Sequence, residues 1–251
     1  MDLRLKGKVA VVTGASAGIG RSIALGFAAE GVSVAICARR EGPLCEAEIA
    51  LRVLHSNIYA AACDIANVAA LDDFLEATRR KFGRLDILVN NASAFGVTDD
   101  EAGWNASLDV DVLASVRASR KVIPWMSEAG GGNILFISSV SGLEAGWPPA
   151  YAAAKAALIS YSKTLAVNLA PKRIRVNTIA PGSIEFEGGR WANTRVNNRA
   201  LYDTILNSIP WGRFGTPQEI ADVVVFLASE RAGWVTGACI PVDGGQHKGN
   251  L

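Results

Sequence analysis

Tyr151 and Lys155 are the two residues of this chain whose types and spacing could do acid–base chemistry. They lie four positions apart in an alanine-rich stretch without an interior proline, residues 150–169, which predicts a helix. Positions four apart share one face of a helix, so the phenol and the ammonium would point the same way. A nearby cation favours the phenolate, and such a tyrosine can pass a proton at neutral pH. Because the spacing also arises by chance, the pair alone leaves a purely structural role open.

A glycine-rich loop, residues 13–20, follows the first predicted strand and opens the first predicted helix. Backbone amides at such a turn, together with the positive end of the helix, can bind a pyrophosphate that a Cβ would obstruct. A glycine-rich turn without a ligand is the alternative, but the position between strand and helix favours a dinucleotide. The predicted cofactor contacts in this loop are Gly14, Ser16, Ala17, Gly18, Ile19 and Gly20.

The second predicted strand ends in Ala38, Arg39 and Arg40. A protein that binds NAD usually carries an acidic residue here for the ribose hydroxyls. A guanidinium suits a 2′-phosphate instead. We therefore predict NADP as the cofactor, with NAD less favoured, and Arg39 ahead of Arg40 as the phosphate ligand. Two solvated arginines at the start of a helix are the alternative.

Polar residues also end three further predicted strands. Asp64 could accept a hydrogen bond from the adenine amino group, or merely cap the next helix. Asn90 and Asn91 could lie against a cofactor or form a turn. Ser138 and Ser139 end the fifth strand, where a hydroxyl could hydrogen-bond a carbonyl oxygen beside the phenol, although serine-rich strand ends are common turns.

Short apolar runs alternate with helical stretches and would position these residues. Strict alternation of strands and helices predicts one doubly wound α/β domain over residues 1–251, a Rossmann fold with a seven-stranded parallel sheet and helices on both faces. Ligands of such sheets lie at the carboxyl ends of the strands, where every motif above falls. The predicted strands are 8–13, 32–37, 57–63, 85–90, 132–138, 173–179 and 238–242, and the predicted helices are 18–30, 43–55, 68–82, 104–126, 150–169 and 217–228.

The overall composition argues against several classes of protein. Half of the 251 residues are apolar and the net charge is +1, which disfavours a nucleic-acid or membrane-surface role. The apolar runs stay far below the roughly 18 residues of a membrane span, and we expect no signal peptide. Four cysteines without a Cys-x-x-Cys spacing predict reduced thiols and a cytoplasmic protein. Only two histidines are present, so we expect no metal site.

Taken in order, these motifs resemble the short-chain dehydrogenase/reductase family, and in particular its 3-oxoacyl-acyl-carrier-protein reductase-like members. The resemblance rests on the glycine loop, Asn90-Asn91-Ala92, the Ser138/Ser139 strand end and Tyr151-x-x-x-Lys155, and it extends to residues 213–221 and 242–245. It implies an NADP-dependent carbonyl reductase that interconverts a ketone, such as a 3-oxoacyl thioester, and a secondary alcohol. It also implies a homo-oligomer, commonly a tetramer.

The same resemblance implies a role for each matching residue. Tyr151 would act as the general acid/base while hydride passes between the nicotinamide and the substrate. Lys155 would favour the phenolate and hold the nicotinamide ribose, and Ser139 would orient the substrate oxygen. The remaining implied cofactor contacts are Asp64, Ile65, Asn91, Ala92, Pro181, Gly182 and Ile184.

Residues 183–211 form the least regular stretch of the chain, and in the family this segment covers the substrate. Its aromatic residues suit a substantial apolar ligand, and Trp147 could form another wall. The predicted substrate contacts are Ser139, Trp147, Tyr151, Phe186 and Trp191.

Three arginines, Arg190, Arg195 and Arg199, are interspersed in the same segment. They could meet a carboxylate, a coenzyme A phosphate or an acidic carrier protein, because a guanidinium binds such groups with two parallel hydrogen bonds. A solvated helix face is the alternative, and we favour it.

Three small departures from the family pattern concern the cofactor and the serine. Ser93 stands where the family has a glycine, which adds a Cβ beside the cofactor. The spacing from Ser139 to Tyr151 is one residue shorter than usual, and Ser138 would restore it, but the glycine that follows aligns Ser139 better. Phe186 stands where a threonine often contacts the carboxamide, so that contact is absent.

The largest departure is Asp111, at the position of the family's catalytic asparagine, which helps to hold a water on the lysine ammonium. A carboxylate near Lys155 raises the pKa of the lysine and offsets its charge, so that less field reaches Tyr151. We predict an active enzyme with an alkaline-shifted pH profile for alcohol oxidation; if the helix backbone holds the water instead, Asp111 changes little. Asp111 and Phe186 also motivate a second hypothesis, a nucleotide-binding protein that lost turnover and serves as a sensor or partner subunit.

Overall fold

Short apolar stretches build the seven strands of one parallel sheet. The computed structural model describes residues 1–250. Most side chains of the central strands are buried, because helices cover both faces of the sheet. The strands are β1 (Val9–Thr13), β2 (Ser33–Ala38), β3 (Ile58–Ala62), β4 (Ile87–Asn90), β5 (Gly132–Ile137), β6 (Ile174–Pro181) and β7 (Cys239–Val242).

The strand order β3-β2-β1-β4-β5-β6-β7 places the reversal of the winding between β1 and β4. Every neighbouring pair in this sheet is parallel. Sheets of this kind bind ligands in the crevice outside the carboxyl ends of the strands at the reversal. The predicted doubly wound Rossmann fold with seven parallel strands is confirmed.

Helices pack on both faces of the sheet, as predicted. They are α1 (Gly18–Ala29), α2 (Glu41–Leu54), α3 (Val68–Phe82), α4 (Glu101–Ala106), α5 (Ala114–Glu128), α6 (Pro149–Leu169), α7 (Arg190–Asn197), α8 (Arg199–Ser208) and α9 (Pro217–Ala228). On one face, α1, α2 and α9 enclose a core with Phe27 at its centre. On the other face, α3, α5 and α6 enclose a second core around Phe136.

Local sequence signals account for the ends of the best-defined helices. The Asn67 side chain caps α3 by accepting a hydrogen bond from Ala70 N, and Gly83 ends the helix with a φ of +76°. Thr216 and Glu219 form a capping box at the start of α9. Both helices have the bounds that the sequence predicts.

The predicted helix 104–126 is not one continuous α-helix. The structure divides it into α4, a π-helical segment Ser107–Leu113, and α5. A π-helical turn inserts a residue without changing the apolar pattern of the flanking helices, so periodicity does not reveal it. Such turns often occur at functional sites, and this one contains Asp111.

The segment 183–211 is more regular than the sequence indicates, because it contains α7 and α8. Both helices are short, and each has a single buried residue, so the segment offers too few apolar positions to predict a helix from the sequence. Asn198 separates them and caps α8 by accepting a hydrogen bond from Leu201 N. Packing of this segment onto the rest of the molecule decides its structure.

Within residues 1–250, no helix combines the length and the apolar character that crossing a membrane requires. The same residues contain no group of three or more His, Cys, Asp or Glu side chains placed to hold a metal ion. All four cysteines are free thiols, and two of them, Cys37 and Cys63, are buried.

Candidate active site

Two cavities open at the carboxyl edge of the sheet. Most of the predicted site residues line either the first cavity or the second. The first, about 310 Å³, contains the predicted residues Ala17, Ile19, Gly20, Asn91, Ser139, Trp147, Tyr151, Lys155, Pro181, Gly182, Ile184, Phe186 and Trp191. The second, about 500 Å³, contains Gly14, Ser16, Arg39, Arg40, Asp64, Ile65, Asn91 and Ala92. Asn91 borders both, so the cavities lie side by side across the reversal of the sheet.

Helix α6 presents Tyr151 and Lys155 to the first cavity from one face, as their spacing predicts. The Lys155 ammonium lies 5.5 Å from the centre of the Tyr151 ring. It also donates a hydrogen bond of 3.1 Å to Ile137 O at the end of β5. The lysine side chain is only 2% exposed, so its charge acts on the phenol with little screening by water.

Asp111 forms an ion pair with Lys155 across the cavity wall. Asp111 Oδ1 lies 2.9 Å from Lys155 Nζ, and the aspartate side chain is fully buried. Its other oxygen, Oδ2, accepts a hydrogen bond from Ala94 N at 3.3 Å. Burial by itself lowers the pKa of Lys155, but the attraction of Asp111 and Tyr151 outweighs it, so the pKa of the lysine is raised. The raised lysine pKa agrees with the sequence prediction.

The two serines at the end of β5 have different partners. The Ser138 hydroxyl is buried and donates a hydrogen bond of 2.8 Å to Lys155 O. The Ser139 hydroxyl is partly exposed to the cavity and accepts a hydrogen bond of 3.2 Å from Ser141 N. Accepting that bond leaves the Ser139 proton free to donate. This geometry supports the choice of Ser139 over Ser138 for orienting a substrate oxygen.

The glycine loop is held by amide hydrogen bonds from β4 and by close backbone contacts. Asn91 Nδ2 donates to Thr13 O at 2.8 Å and to Gly14 O at 3.0 Å. A Cβ on Gly20 would lie 2.4 Å from Asn91 Nδ2 and from Gly14 O. The Asn91 amide group therefore holds the loop in place. The sequence predicts only a contact between Asn91 and the cofactor.

The start of α1 suits a pyrophosphate, because its first amide groups are not used by capping. Within the described residues, no side chain caps this helix at Ala17 and no acidic residue lies in its first turn. Gly14 and Gly18 have φ values of +66° and +53°, which favour glycine. Phe186, predicted as a substrate contact, packs its ring against Gly18, where a Cβ would lie 2.5 Å from the ring. Phe186 therefore lies between the substrate side and the glycine loop.

The second cavity has the composition expected for the adenosine end of a dinucleotide. Arg39 and Arg40 are exposed at its rim, and no carboxylate within residues 1–250 forms a salt bridge with either. Asp64 Oδ1 accepts a hydrogen bond from Ala66 N at 3.1 Å. Asn67 is the cap of α3, so the alternative that Asp64 caps this helix is wrong.

The side chain of Ser93, which replaces the family's glycine, forms a hydrogen bond within its own loop. Ser93 Oγ accepts a hydrogen bond of 3.2 Å from Phe95 N, and the residue borders both cavities. The serine therefore shapes the loop that leads from β4 to α4.

Phe95 is a site residue that the sequence motifs do not reveal. It has a φ of +54°, which is uncommon outside glycine, and its ring centre lies 4.6 Å from that of Tyr151. The Arg190 guanidinium lies near both the Phe95 and the Trp191 rings, 4.6 Å from the centre of the first and 5.4 Å from the centre of the second. No local pattern announces these contacts, because Phe95 and Arg190 lie on separate connections that meet only in the folded chain.

The cover of the first cavity has a small core of its own. Trp191, Tyr202, Ile209 and Phe214 are buried against one another, apart from the two large cores. Tyr202 Oη donates a hydrogen bond of 3.0 Å to Glu185 Oε2. Trp211 is 71% exposed and lies outside this cluster. This small core positions Trp191 as a wall of the cavity.

The C-terminal segment is tied to the loop before α6. The His247 ring lies 3.0 Å from Glu144 Oε2, and Trp147 Nε1 donates a hydrogen bond of 3.4 Å to Glu144 Oε1. The segment after β7 therefore supports the Trp147 wall of the cavity, which the sequence motifs did not indicate.

Comparisons with known proteins agree with this architecture. A family model described as enoyl-(acyl carrier protein) reductase matches residues 14–247. The 3-oxoacyl-acyl-carrier-protein reductase FabG of Thermotoga maritima is 37% identical, over 97% of this chain and 99% of the relative. The structure of L-sorbose reductase from Gluconobacter frateurii, complexed with NADPH and L-sorbose, is 36% identical with a TM-score of 0.90, over 99% of this chain and 100% of that one.

A second solved structure extends the comparison to another activity. 7α-Hydroxysteroid dehydrogenase, complexed with NADH and 7-oxo glycochenodeoxycholic acid, is 34% identical with a TM-score of 0.90, over 97% of this chain and 96% of that one. These matches cover nearly the whole chain, and the predicted resemblance is confirmed. The chain belongs to the short-chain dehydrogenase/reductase family of oxidoreductases.

Proposed function

We propose that this protein is an NADP(H)-dependent oxidoreductase that interconverts a ketone and a secondary alcohol, with a 3-oxoacyl thioester or a similar carbonyl compound as substrate. The observation that carries the proposal is that Tyr151 and Ser139 line one cavity while the buried Lys155 ammonium lies 5.5 Å from the tyrosine ring. A proton donor, a hydrogen-bond donor and a fixed positive charge thus converge on one small volume.

In the reduction direction, Tyr151 gives its proton to the carbonyl oxygen. Ser139 donates a hydrogen bond to the same oxygen and keeps it beside the phenol. Lys155 stabilises the phenolate that remains, because its charge is buried and close to the ring. When bound, the cofactor supplies the hydride that reaches the carbonyl carbon. Trp147 and Trp191 exclude water from the substrate side.

Asp111 modifies this arrangement without removing it. Its carboxylate offsets part of the Lys155 charge at 2.9 Å, so less of that charge acts on Tyr151. The lysine keeps its hydrogen bond to Ile137 O and its position beside the phenol. We therefore retain the prediction of an active enzyme whose alcohol oxidation requires alkaline conditions.

The choice of NADP over NAD is supported by the rim of the second cavity. Arg39 and Arg40 carry the only side-chain charges there that can bind a 2′-phosphate, within the part of the chain that the structure describes. The known structures similar to this chain include one with NADPH and one with NADH, so the family alone does not decide the cofactor.

The first experiment follows the absorbance of NADPH in the presence of a panel of ketones and 3-oxoacyl thioesters. We expect turnover in the parent and a loss of at least about a hundredfold in kcat for Tyr151→Phe, which removes the proton donor. NADPH binding without turnover of any compound in the panel would contradict the proposal. That outcome would support the second hypothesis, a nucleotide-binding protein without turnover.

The second experiment compares kcat/KM for NADPH and NADH. We expect the parent to prefer NADPH, and Arg39→Ser to lose roughly tenfold or more of that preference through a higher KM for NADPH alone. Arg40→Ser should have the smaller effect. A parent that uses NADH as well as NADPH would contradict the assignment of the cofactor while leaving the reaction class intact.

We further propose a homo-oligomer, in line with the expected tetramer. In the family, the resemblance implies contacts through the helix predicted at 104–126, the helix that carries Tyr151 and the C-terminal segment. The first two carry exposed apolar side chains, with Leu113 at 40% and Val167 at 68% exposure, and Trp234 is fully exposed. Exposed apolar side chains of this size are typical of association surfaces. Light scattering of the purified protein gives the subunit number. The cytoplasmic location stays a prediction.

A further inference from the structure

The Arg190 guanidinium lies over the Phe95 ring, and the Phe95 ring contacts the ring of Tyr151. Its central carbon lies 4.6 Å from the Phe95 ring centre, and that centre lies 4.6 Å from the Tyr151 ring centre. Both Arg190 and Phe95 border the first cavity. These two separations place the guanidinium no more than about 9 Å from the centre of the Tyr151 ring. A charged substituent on a carbonyl compound bound at Tyr151 can therefore extend toward Arg190.

Arg190 has no anionic partner within residues 1–250, in contrast to its neighbours along the chain. Arg195, on the same helix, lies 3.3 Å from Glu185 Oε1. Arg199 pairs with Asp203 at 2.9 Å, and Arg213 pairs with Glu219 at 2.6 Å. The three other arginines thus form ion pairs with carboxylates of the same chain, whereas the Arg190 guanidinium lies near two aromatic rings.

Arg190 is an exposed residue, and its guanidinium is partly desolvated beside the Phe95 and Trp191 rings, whose centres lie 4.6 and 5.4 Å away. Burial of this kind lowers the pKa of Arg190, although nearby Tyr151 acts in the opposite direction. A stacked guanidinium keeps its edge free for two parallel hydrogen bonds, the geometry in which it binds carboxylates and phosphates.

We propose that Arg190 binds an anionic group, a carboxylate or a phosphate, that the substrate carries a few bonds from its carbonyl. This rests on the proposed function and narrows the substrate to short oxoacids and phosphorylated ketones. A simple 3-oxoacyl thioester has no charge close to its carbonyl, because the phosphate of a pantetheine arm lies at the far end of the arm. Arg190 then selects the substrate, and Tyr151 and Ser139 act on its oxygen.

The test compares charged and neutral ketones of the same size. Steady-state rates with NADPH are measured for levulinate against its methyl ester, and for hydroxyacetone phosphate against hydroxyacetone. We expect kcat/KM of the parent to be at least about tenfold higher for one or both charged compounds than for their neutral counterparts. A single charge-assisted hydrogen-bonded pair is strong enough to give a difference of this size. Arg190→Gln should lose that preference, because the charged compounds should lose at least about tenfold more in kcat/KM than the neutral compounds of the same size.

Two further variants show whether the effect belongs to Arg190. Arg190→Lys keeps the charge but loses the planar fork, so its preference should lie between those of the parent and Arg190→Gln. Arg195→Gln removes a charge from the same helix that already has a carboxylate partner, and it should behave as the parent does. A parent that does not prefer either charged compound, or an Arg190→Gln variant that keeps the preference, overturns the proposal.

A binding measurement separates this proposal from the proposed function. Levulinate and hydroxyacetone phosphate are titrated calorimetrically into the complex of the protein with NADP⁺. Binding that is lost in Arg190→Gln supports the anion site even when no compound is turned over. Absence of binding by both charged compounds overturns the anion site, whereas reduction of neutral ketones at Tyr151 leaves the proposed function intact. Whichever of the two compounds binds more tightly shows whether the site prefers a carboxylate or a phosphate.

Discussion

The glycine loop and the cover of the substrate cavity lie on opposite sides of the same site but are built differently. The loop is held by the Asn91 amide and by backbone contacts that leave no room for a Cβ at Gly20. The cover consists of α7 and α8, two short helices around a small cluster of buried side chains. The loop therefore depends on one side-chain amide and on backbone atoms, whereas the cover depends on packing among side chains.

The two regions also differ in what a substitution disturbs. A side chain added at Gly20 meets backbone atoms, which cannot move without shifting β1 or α1. A side chain changed in the cover meets other side chains or water, which can rearrange. This difference predicts a graded series of effects, which is largest in the loop and smallest in the cover.

The largest effect should come from Gly20→Ala in the loop. The new Cβ would lie 2.4 Å from Gly14 O, so the loop must move away from its position for the pyrophosphate. We expect a loss of about 1–3 kcal/mol in the free energy of unfolding, and a rise in the dissociation constant for NADPH of at least about tenfold. Chemical denaturation and a fluorescence titration measure the two quantities.

Gly42→Ala is the matched control for that substitution. Gly42 lies in α2, and no atom would come within 4 Å of a Cβ there. Alanine should stabilise the helix by up to about 1 kcal/mol and leave NADPH binding unchanged. Equal behaviour of the two variants would show that the crowding at Gly20 has no functional role.

A smaller effect on function, visible in the pH profile, should come from Asp111→Asn. Burial alone lowers the Lys155 pKa, and Asp111 contributes to raising it above its usual 10.5; removing the carboxylate therefore lowers the lysine pKa. The remaining ammonium charge then acts on the proton transfer at Tyr151 without an offset. We expect the limb of kcat/KM for alcohol oxidation to move down by about one pH unit.

Asp109→Asn is the control, because this aspartate is exposed in the same π-helical segment. The ion pair stabilises the fold while Lys155 is charged, below its ordinary pKa of 10.5, and this stability is lost as the pH rises through the raised value. Asp111→Asn should thus unfold more readily at neutral pH, by about 1–3 kcal/mol. An unchanged or more alkaline limb would show that Asp111 does not act through the lysine.

The smallest effect should come from Tyr202→Phe in the cover. The substitution removes the hydrogen bond from Tyr202 Oη to Glu185 Oε2 and keeps the ring in its cluster. Because Glu185 retains Arg195 as a partner, we expect a loss of only about 0.5–1.5 kcal/mol in stability. NADPH binding should not change, while the KM for the carbonyl substrate rises slightly. A comparable loss of NADPH binding would mean that the cover and the loop are coupled.

The glycine loop could be predicted from the sequence, whereas the structure of the cover could not. The strand ends, the glycine loop and the Tyr151–Lys155 pair were predictable, because each depends on residues close together in the chain. The predicted lysine–carboxylate interaction also agrees with the structure, since Asp111 lies 2.9 Å from Lys155. The helices α7 and α8 were not predicted, because their few apolar residues pack onto distant parts of the molecule.

Sequence patterns were sufficient for the doubly wound sheet and for placing the glycine loop and the Tyr151–Lys155 pair at the carboxyl edge of that sheet. Helical and strand periodicity place side chains on one face or one edge without reference to the rest of the chain. The folded structure was needed to show that the Ser138 hydroxyl bonds to Lys155 O, and that Arg190, of three neighbouring arginines, lies over the Phe95 ring. Those choices depend on contacts between connections that are far apart in the chain, and packing alone sets such contacts.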